Sequence, residues 1–387
     1  MATSTVGQRA RTNIARRRLA GQHLIKSTLT NAADVVRALG AVQAQDYASA
    51  KWALAMRCAT ATNSMVEQAI TDGRIVRTHV LRPTWHFVDP ADIRWLLALT
   101  APRVIARMAP YDRQLELDAE TYRRSNAAIT RALRDGRHST REEIGHVLKE
   151  ERIRTDSIRI AHLLMRAELD GIVCSGARRG KQFTYSLLEE RIPSAPSMDR
   201  DEALLELTRR YFSTRGPATP QDFAWWSGLT VGDAKRGIDI AGTELRRDEI
   251  DGTAYWVTKS VVPPGGVRTA HLLPNYDEYF IGYRDRGAIL QLVRGVKPKA
   301  TLNGLTAHVI AVDGQIVGGW KRALKRNGVA VELNPVITLT GAQRKAISIA
   351  AERYGAFLEL PVNIVWRAGK ASGAAGGQRG FRSGVLR

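Results

Sequence analysis

Ser139-Thr140-Arg141-Glu142-Glu143-Ile144 sets a hydroxyl three residues ahead of an acid, the spacing of a capping box, and so marks the start of a helix. Working outward from it, residues 126–135 read as an amphipathic helix before it. A third helix runs from about Asp156 to Leu169, with Ile160, Leu163, Leu164 and Ala167 on one stripe. Gly171-Ile172-Val173-Cys174-Ser175-Gly176 then starts a strand, Ala177-Arg178-Arg179-Gly180-Lys181 turns it, and Phe183-Thr184-Tyr185-Ser186-Leu187 returns. Three helices followed by a hairpin with a basic tip is the winged-helix layout.

The same order recurs on both sides. Beyond the linker Pro193-Ser194-Ala195-Pro196-Ser197, a helix at Leu204–Phe212 precedes Thr219-Pro220-Gln221-Asp222, a cap with proline at the first helical position. Val231–Ile240 forms a third helix, and Leu245–Val257 a hairpin turning at Asp251-Gly252. Upstream, Ala32–Leu39, Tyr47–Arg57 and Ser64–Thr71 make a similar triplet, followed by strands at Ile75–Val80 and Thr84–Val88. After residue 262 the character changes. His308–Trp320 is a hairpin with an Asp313-Gly314 turn, strands follow at 329–333 and 336–340, and a helix spans Gly341–Tyr354. A chain of 387 residues holds roughly two to four domains. The expected division is 1–120, 121–195 and 196–262 as three winged helices, 263–367 as a small β-rich domain with one helix, and a basic, glycine-rich tail at 368–387 predicted to be disordered.

Charge points to the partner. Lys and Arg number 58 against 38 Asp and Glu, a formal +20, with a pI near 10.4. Such an excess suits a polyanion, and arginine suits phosphate; Arg178, Arg179 and Lys181 at the hairpin tip, with Arg82, are the expected DNA contacts. No stretch approaches the roughly 20 apolar residues of a membrane span, and the N-terminus lacks a secretory core, so a cytoplasmic, nucleoid-associated protein is expected. Cys58 and Cys174, far apart, make no disulfide framework, and no metal or cofactor is expected.

One short motif carries chemistry. In Val42-Gln43-Ala44-Gln45-Asp46, extended backbone places Val42 and Ala44 toward a core and projects the Gln43 and Gln45 carboxamides together from the opposite face. Two amides side by side offer donors and acceptors to one water or substrate hydroxyl. Alone, Gln-x-Gln is a weak signal. Asp46 either assists electrostatically or caps the Tyr47 helix. His86 shares a strand face with Thr84 in Thr84-Trp85-His86, as an active-site neighbour or as an ordinary hydrogen-bonded strand histidine. Gly176-x-x-x-Gly180-Lys181 lacks P-loop spacing, and Glu143-x-x-His146 reads as a surface pair. Asp277-Glu278, as neighbours on a strand, would face opposite ways, which speaks against a two-carboxylate hydrolase site.

Three segments resemble the AlkZ-like winged-helix DNA glycosylases: Leu39–Asp46, Arg77-Thr78-His79-Val80-Leu81-Arg82-Pro83-Thr84-Trp85-His86-Phe87-Val88, and Leu272-Leu273-Pro274-Asn275-Tyr276-Asp277-Glu278-Tyr279-Phe280-Ile281-Gly282-Tyr283. The resemblance implies an α+β fold of three tandem winged helices forming a C-shaped clamp, with a C-terminal β-barrel-like domain. It implies a catalytic Gln-apolar-Gln motif carried by Gln43 and Gln45, the second glutamine separating this chain from a branch with Asp there. The expected activity is hydrolysis of the N-glycosidic bond of N7-alkylated purines in duplex DNA by a monomer, including bulky genotoxin adducts or interstrand crosslinks in repair or antibiotic self-resistance. A non-enzymatic winged-helix DNA binder or transcription regulator is the alternative.

Overall fold

A computed structural model describes residues 2–25, 27–156, 158–258, 268–294 and 308–367. The expected tail at 368–387 lies outside them. The chain is mixed α+β. Its N-terminal part holds α1 (Ala2–Gly21), α2 (Ala32–Leu39), β1 (Val42–Gln43), α3 (Tyr47–Ala55), α4 (Asn63–Thr71), β2 (Val76–Val80), β3 (Arg82–Val88) and α5 (Ile93–Gln114). Next come α6 (Ala119–Leu133), β4 (Ser139–Thr140), α7 (Arg141–Glu150), α8 (Arg159–Leu169), β5 (Val173–Ser175), β6 (Thr184–Leu187) and α9 (Leu188–Arg191). A third group comprises α10 (Arg200–Arg215), α11 (Pro220–Ser227), α12 (Val231–Ala241), β7 (Leu245–Ile250) and β8 (Thr253–Thr258). The last comprises β9 (Ala270–Leu273), α13 (Glu278–Ile281), β10 (Val309–Val312), β11 (Gln315–Lys325), β12 (Gly328–Pro335), α14 (Gly341–Leu358) and β13 (Val362–Trp366).

Local chemistry explains the boundaries. The Thr140 hydroxyl accepts the Glu143 N–H while the Glu143 carboxylate accepts the Thr140 N–H, closing the expected capping box at α7. Thr219 and Asp222 do the same at α11, with Pro220 in its first turn. The stripe Ile160, Leu163, Leu164 and Ala167 is buried in a core shared with Ile129, Leu133, Ile144 and Leu148.

The C-terminal sheet runs β13-β12-β11-β10-β9, with β12 and β13 parallel through the α14 crossover and the remaining pairs antiparallel. Among the described residues it is open, with β9 and β13 at its edges, and does not close into the barrel-like form expected. Residues 336–340 are not a strand: β12 already ends at Pro335, whose ring removes a ladder donor. Among the described residues no helix is long and apolar enough to cross a membrane.

Two cores sandwich the small sheet ordered β1-β3-β2. Val42, Ala44 and Phe87 on one face join a core that contains α2–α4, Leu272, Ile310, Trp320 and Tyr354. Trp52 locks this union, its indole N–H donating to the Leu272 carbonyl at 2.8 Å and its ring meeting Tyr354 edge-on at 5.0 Å. The N-terminal helices and the C-terminal sheet are therefore one hydrophobic unit. Ala41, Val76 and Val88 on the other face enter the core built by α5, α10, α11 and α12. Pro83 fits in the central strand because it lies outside the paired registers with both neighbours, beside the irregularity between His79 and Val80.

Candidate active site

The paired register Val42↔Phe87, Gln43↔His86 and Thr78↔His86 fixes what shares a face. On the α5 side, Ala41, Val88 and Val76 form an apolar row; Gln43, His86 and Thr78 form the next. Thr84, two residues from His86 on β3, continues it. Gln43 faces this row, whereas Gln45 lies in a bend just past the end of β1, so the extended backbone expected through Gln45 stops short of it, and their exposure differs. Gln43 is only 7% exposed, whereas Gln45 is open to solvent.

Both amides are oriented from inside. Gln43 Oε1 accepts from Arg82 Nη2 at 3.0 Å, and Gln45 Oε1 faces the Trp85 backbone N–H at 3.4 Å. A guanidinium and a peptide N–H only donate, so both inward atoms are carbonyl oxygens and both NH2 groups point away. Each oxygen keeps a second lone pair. Arg82, expected on the DNA surface, instead reaches inward to Gln43, and desolvation holds its pKa below the usual value despite the nearby Glu278.

Glu278 anchors the strand and is the residue that sequence reasoning missed. Its Oε1 accepts the Gln43 N–H at 2.9 Å; its Oε2 accepts Arg215 Nη2 at 2.6 Å and Trp226 Nε1 at 2.8 Å. Neighbouring Asp277 takes a bidentate pair from Arg57 at 2.8 and 2.9 Å. All four charged side chains are fully buried. The segment is not the continuous strand expected: β9 stops at Leu273, Tyr276 adopts a left-handed φ of +60°, and Asp277 caps α13. The two acids are structural anchors, each with its own arginine. The signal was present in the Asp277-Glu278 pair amid apolar residues, which asks for buried cations elsewhere.

Asp46 is the cap of α3, its Oδ1 accepting the Ser49 N–H at 3.0 Å. Burial pushes this carboxyl upward, but hydrogen bonds from Ser49, the Arg322 charge and Asn275 prevail and hold it below the usual range. A folded value below the unfolded one means that the stabilisation is complete above the ordinary aspartate range and is lost as pH falls through the folded value. Asp46→Ala is expected to cost about 1 kcal/mol near neutrality. That difference should shrink when urea unfolding is repeated in acid; an equal difference at both pH values would contradict the charge-dependent cap.

Beside Ala44, on the sheet face opposite Gln43, stands a cluster of rings and guanidinium groups. Arg77 donates from Nε to the Ala44 carbonyl at 3.1 Å and lies over Trp85 at 4.3 Å and Phe183 at 4.8 Å. Tyr47 meets Phe183 edge-on at 5.0 Å, and Arg178 lies over both rings. The hairpin β5–β6 is thereby pressed against the glutamine strand. Arg178 also pairs with Glu67 at 3.1 Å, which Lys51 shares at 2.5 Å. Burial raises the Glu67 carboxyl, and bonds from Lys51 and Tyr47 more than offset this and lower it. Arg179 is exposed but engaged by Glu143 at 2.6 Å and the His138 carbonyl at 2.8 Å, while Lys181 sits exposed at the tip. Arg82 and the hairpin cations therefore do not form one patch. Among the described residues no group of three or more His, Cys, Asp or Glu is placed to hold a metal ion. Both cysteines are buried, their thiols pushed up by desolvation to about 11 for Cys58 and about 12 for Cys174.

Comparison with known proteins gives this arrangement its context. The family described as DNA glycosylase AlkZ-like matches residues 36–357. An interstrand DNA cross-link repair glycosylase of Streptomyces sahachiroi is 24% identical over 324 residues, spanning 79% of this chain and 85% of its own. The solved structure of Streptomyces sahachiroi DNA glycosylase AlkZ is similar with a TM-score of 0.74 at 23% identity, covering 92% of this chain and 99% of that one. The family match takes in Gln43 on β1, Gln45 just beyond it, His86 on β3 and Glu278 on α13, and on its extent the protein belongs to the AlkZ-like DNA glycosylases and is a hydrolase.

Proposed function

We propose that the protein removes N7-alkylated purines from duplex DNA, bulky adducts and interstrand crosslinks included, with Gln43 and Gln45 holding the attacking water against C1′ of the sugar. The observation that carries this reading is the pair of amides, two residues apart, whose carbonyl oxygens are both held by donors of β3. Glycosidic hydrolysis must stabilise an oxocarbenium-like sugar and present a water to it. A neutral carboxamide is a poor base and could not readily excise an ordinary purine. An N7-alkylated purine already carries positive charge and departs as a neutral base, so orienting the water is most of what the site must supply. A crosslink cannot enter a tight pocket for a flipped base; the solvent-open Gln45 suits an unenclosed lesion.

The groups α6–α8 with β5–β6, and α10–α12 with β7–β8, each have the order of a winged helix. We infer that they and the N-terminal group are three such units forming a clamp on the duplex, and that the protein acts as a monomer in the nucleoid. The test is incubation with plasmid bearing N7-alkylguanine, followed by mass analysis of released base. Release of the modified base alone is expected; DNA binding without release would favour the transcription-regulator alternative. With a formal charge of +20, duplex affinity is expected to fall by about 10³-fold between roughly 50 and 200 mM salt. Near-equal binding at both concentrations, read by fluorescence anisotropy, would contradict an electrostatic clamp.

A further inference from the structure

The row behind the glutamines contains polar atoms that the protein leaves unmatched. His86 and Thr78 are fully buried. His86 Nε2, Thr78 Oγ1 and Thr84 Oγ1 have no hydrogen-bond partner among the described residues. Buried polar atoms in folded proteins are nearly always paired, with protein or with ordered water. These three share one sheet face with Gln43, since Gln43↔His86 and Thr78↔His86 are register partners and Thr84 lies two residues from His86. The tautomer of His86 is also determined. Nδ1 lies 2.9 Å from the Thr84 carbonyl, which can only accept, so Nδ1 carries the proton. Burial, reinforced by Arg82, His79 and Arg215, keeps the ring neutral, well below the usual histidine value. Nε2 is then a bare lone pair in the row that begins at Gln43.

We propose that His86 is the proton-accepting, positioning residue of the reaction, linked to the glutamine-held water through the Thr84 hydroxyl and ordered water. This rests on the glycosylase reading and supplies what that reading lacks, a base. As the water oxygen bonds to C1′, the C1′–N bond breaks and its electron pair leaves with the cationic purine, which departs neutral. The proton shed by the water passes to Thr84 Oγ1 as the Thr84 proton moves, over a bridging water, to His86 Nε2. The imidazolium returns it to solvent when the abasic product is released. The fixed charges near the ring are Arg82 on β3 and Arg215 on α10, both of which favour prompt release of the proton, with Glu278 on α13 close to them; His79 on β2 is paired with Glu168.

The experiment is single-turnover release of 7-methylguanine from duplex DNA as a function of pH, for the parent, His86→Gln, Thr84→Val and Gln45→Ala. The parent is expected to lose rate in acid, with a midpoint below the ordinary histidine value of about 6.5. His86→Gln retains an acceptor but cannot take up a proton; its rate is expected to fall on the order of 10²-fold, with the acid limb gone and DNA affinity unchanged. Thr84→Val, which inserts no new polar group, decides the matter if His86→Gln fails to fold; it is expected to lose at least about tenfold in rate, at the low end for proton transfer. Parental rates and a parental acid limb in both variants would overturn the relay. If Gln45→Ala is inactive in that case, the glutamine reading stands and only the relay fails; if Gln45→Ala is also parental, both fall.

Discussion

Gln45→Ala is expected to slow alkylated-base release on the order of 10²–10³-fold while leaving the unfolding midpoint near that of the parent. The side chain is exposed and the hydrogen bond it accepts from the Trp85 N–H is long at 3.4 Å, so truncation opens no cavity and strands no buried partner. Gln43→Ala should lose a comparable factor in rate with a separate cost in stability. Its Oε1 is the acceptor for Arg82 Nη2, and Arg82 Nε already lacks a partner among the described residues. Removing that acceptor from a buried cation costs about 1–3 kcal/mol. Gln45→Asp is the more discriminating change. A carboxylate holds water and favours developing positive charge, so activity on small N7-methyl adducts should persist, and activity on bulkier lesions should drop with the lost N–H donor. Parental release by both alanine variants would remove the amides from the chemistry.

Glu278→Ala should produce the largest loss of stability of any single change at the site, about 3–5 kcal/mol. The substitution leaves Arg215 buried without its carboxylate and strips acceptors from Trp226 Nε1 and the Gln43 N–H. A buried pair contributes little net stability compared with apolar residues of similar volume, but breaking one side of it is costly. Glu278→Leu combined with Arg215→Met is therefore expected to recover much of the stability lost by Glu278→Ala. It should not recover base release, because no acceptor then holds the Gln43 backbone. Full recovery of both would mean that Glu278 serves packing alone. Denaturant unfolding and single-turnover release on the same preparations separate the two effects.

The helix and hairpin order from Asp118 onward follows from periodicity, caps and turn residues, and Thr140, Thr219 and Thr230 each close a capping box. Helix α5 was not among the expected elements; Pro102 and Pro110 sit inside it, and proline is ordinarily a sign of interruption. Strand β13 was likewise missed, because its partner β12 lies across the α14 crossover and the pairing is parallel. At the site, alternation told which residues share a face with Gln43 but not what covers that face. The cover comes from α5, α10 and α13, so the exposure of Gln43 and the inward turn of Arg82 depend on contacts that no local window contains. Asp46 resolved locally, since a cap is a property of the residues that follow it.

The hydrophobic unit shared by the two ends of the chain sets a timetable for birth on the ribosome. Gln43 and the glutamate that seats its backbone are 235 residues apart, and at ordinary elongation rates the second is made roughly 10–50 s after the first. Until Leu272, Glu278 and Trp320 emerge, Trp52 and the apolar faces of α2–α4 have no native surface to cover them. The polypeptide thus carries its glutamines for most of translation without the architecture that aims them. Competence arrives late and abruptly, and a nascent or prematurely terminated chain is a ward of chaperones rather than a fractional enzyme.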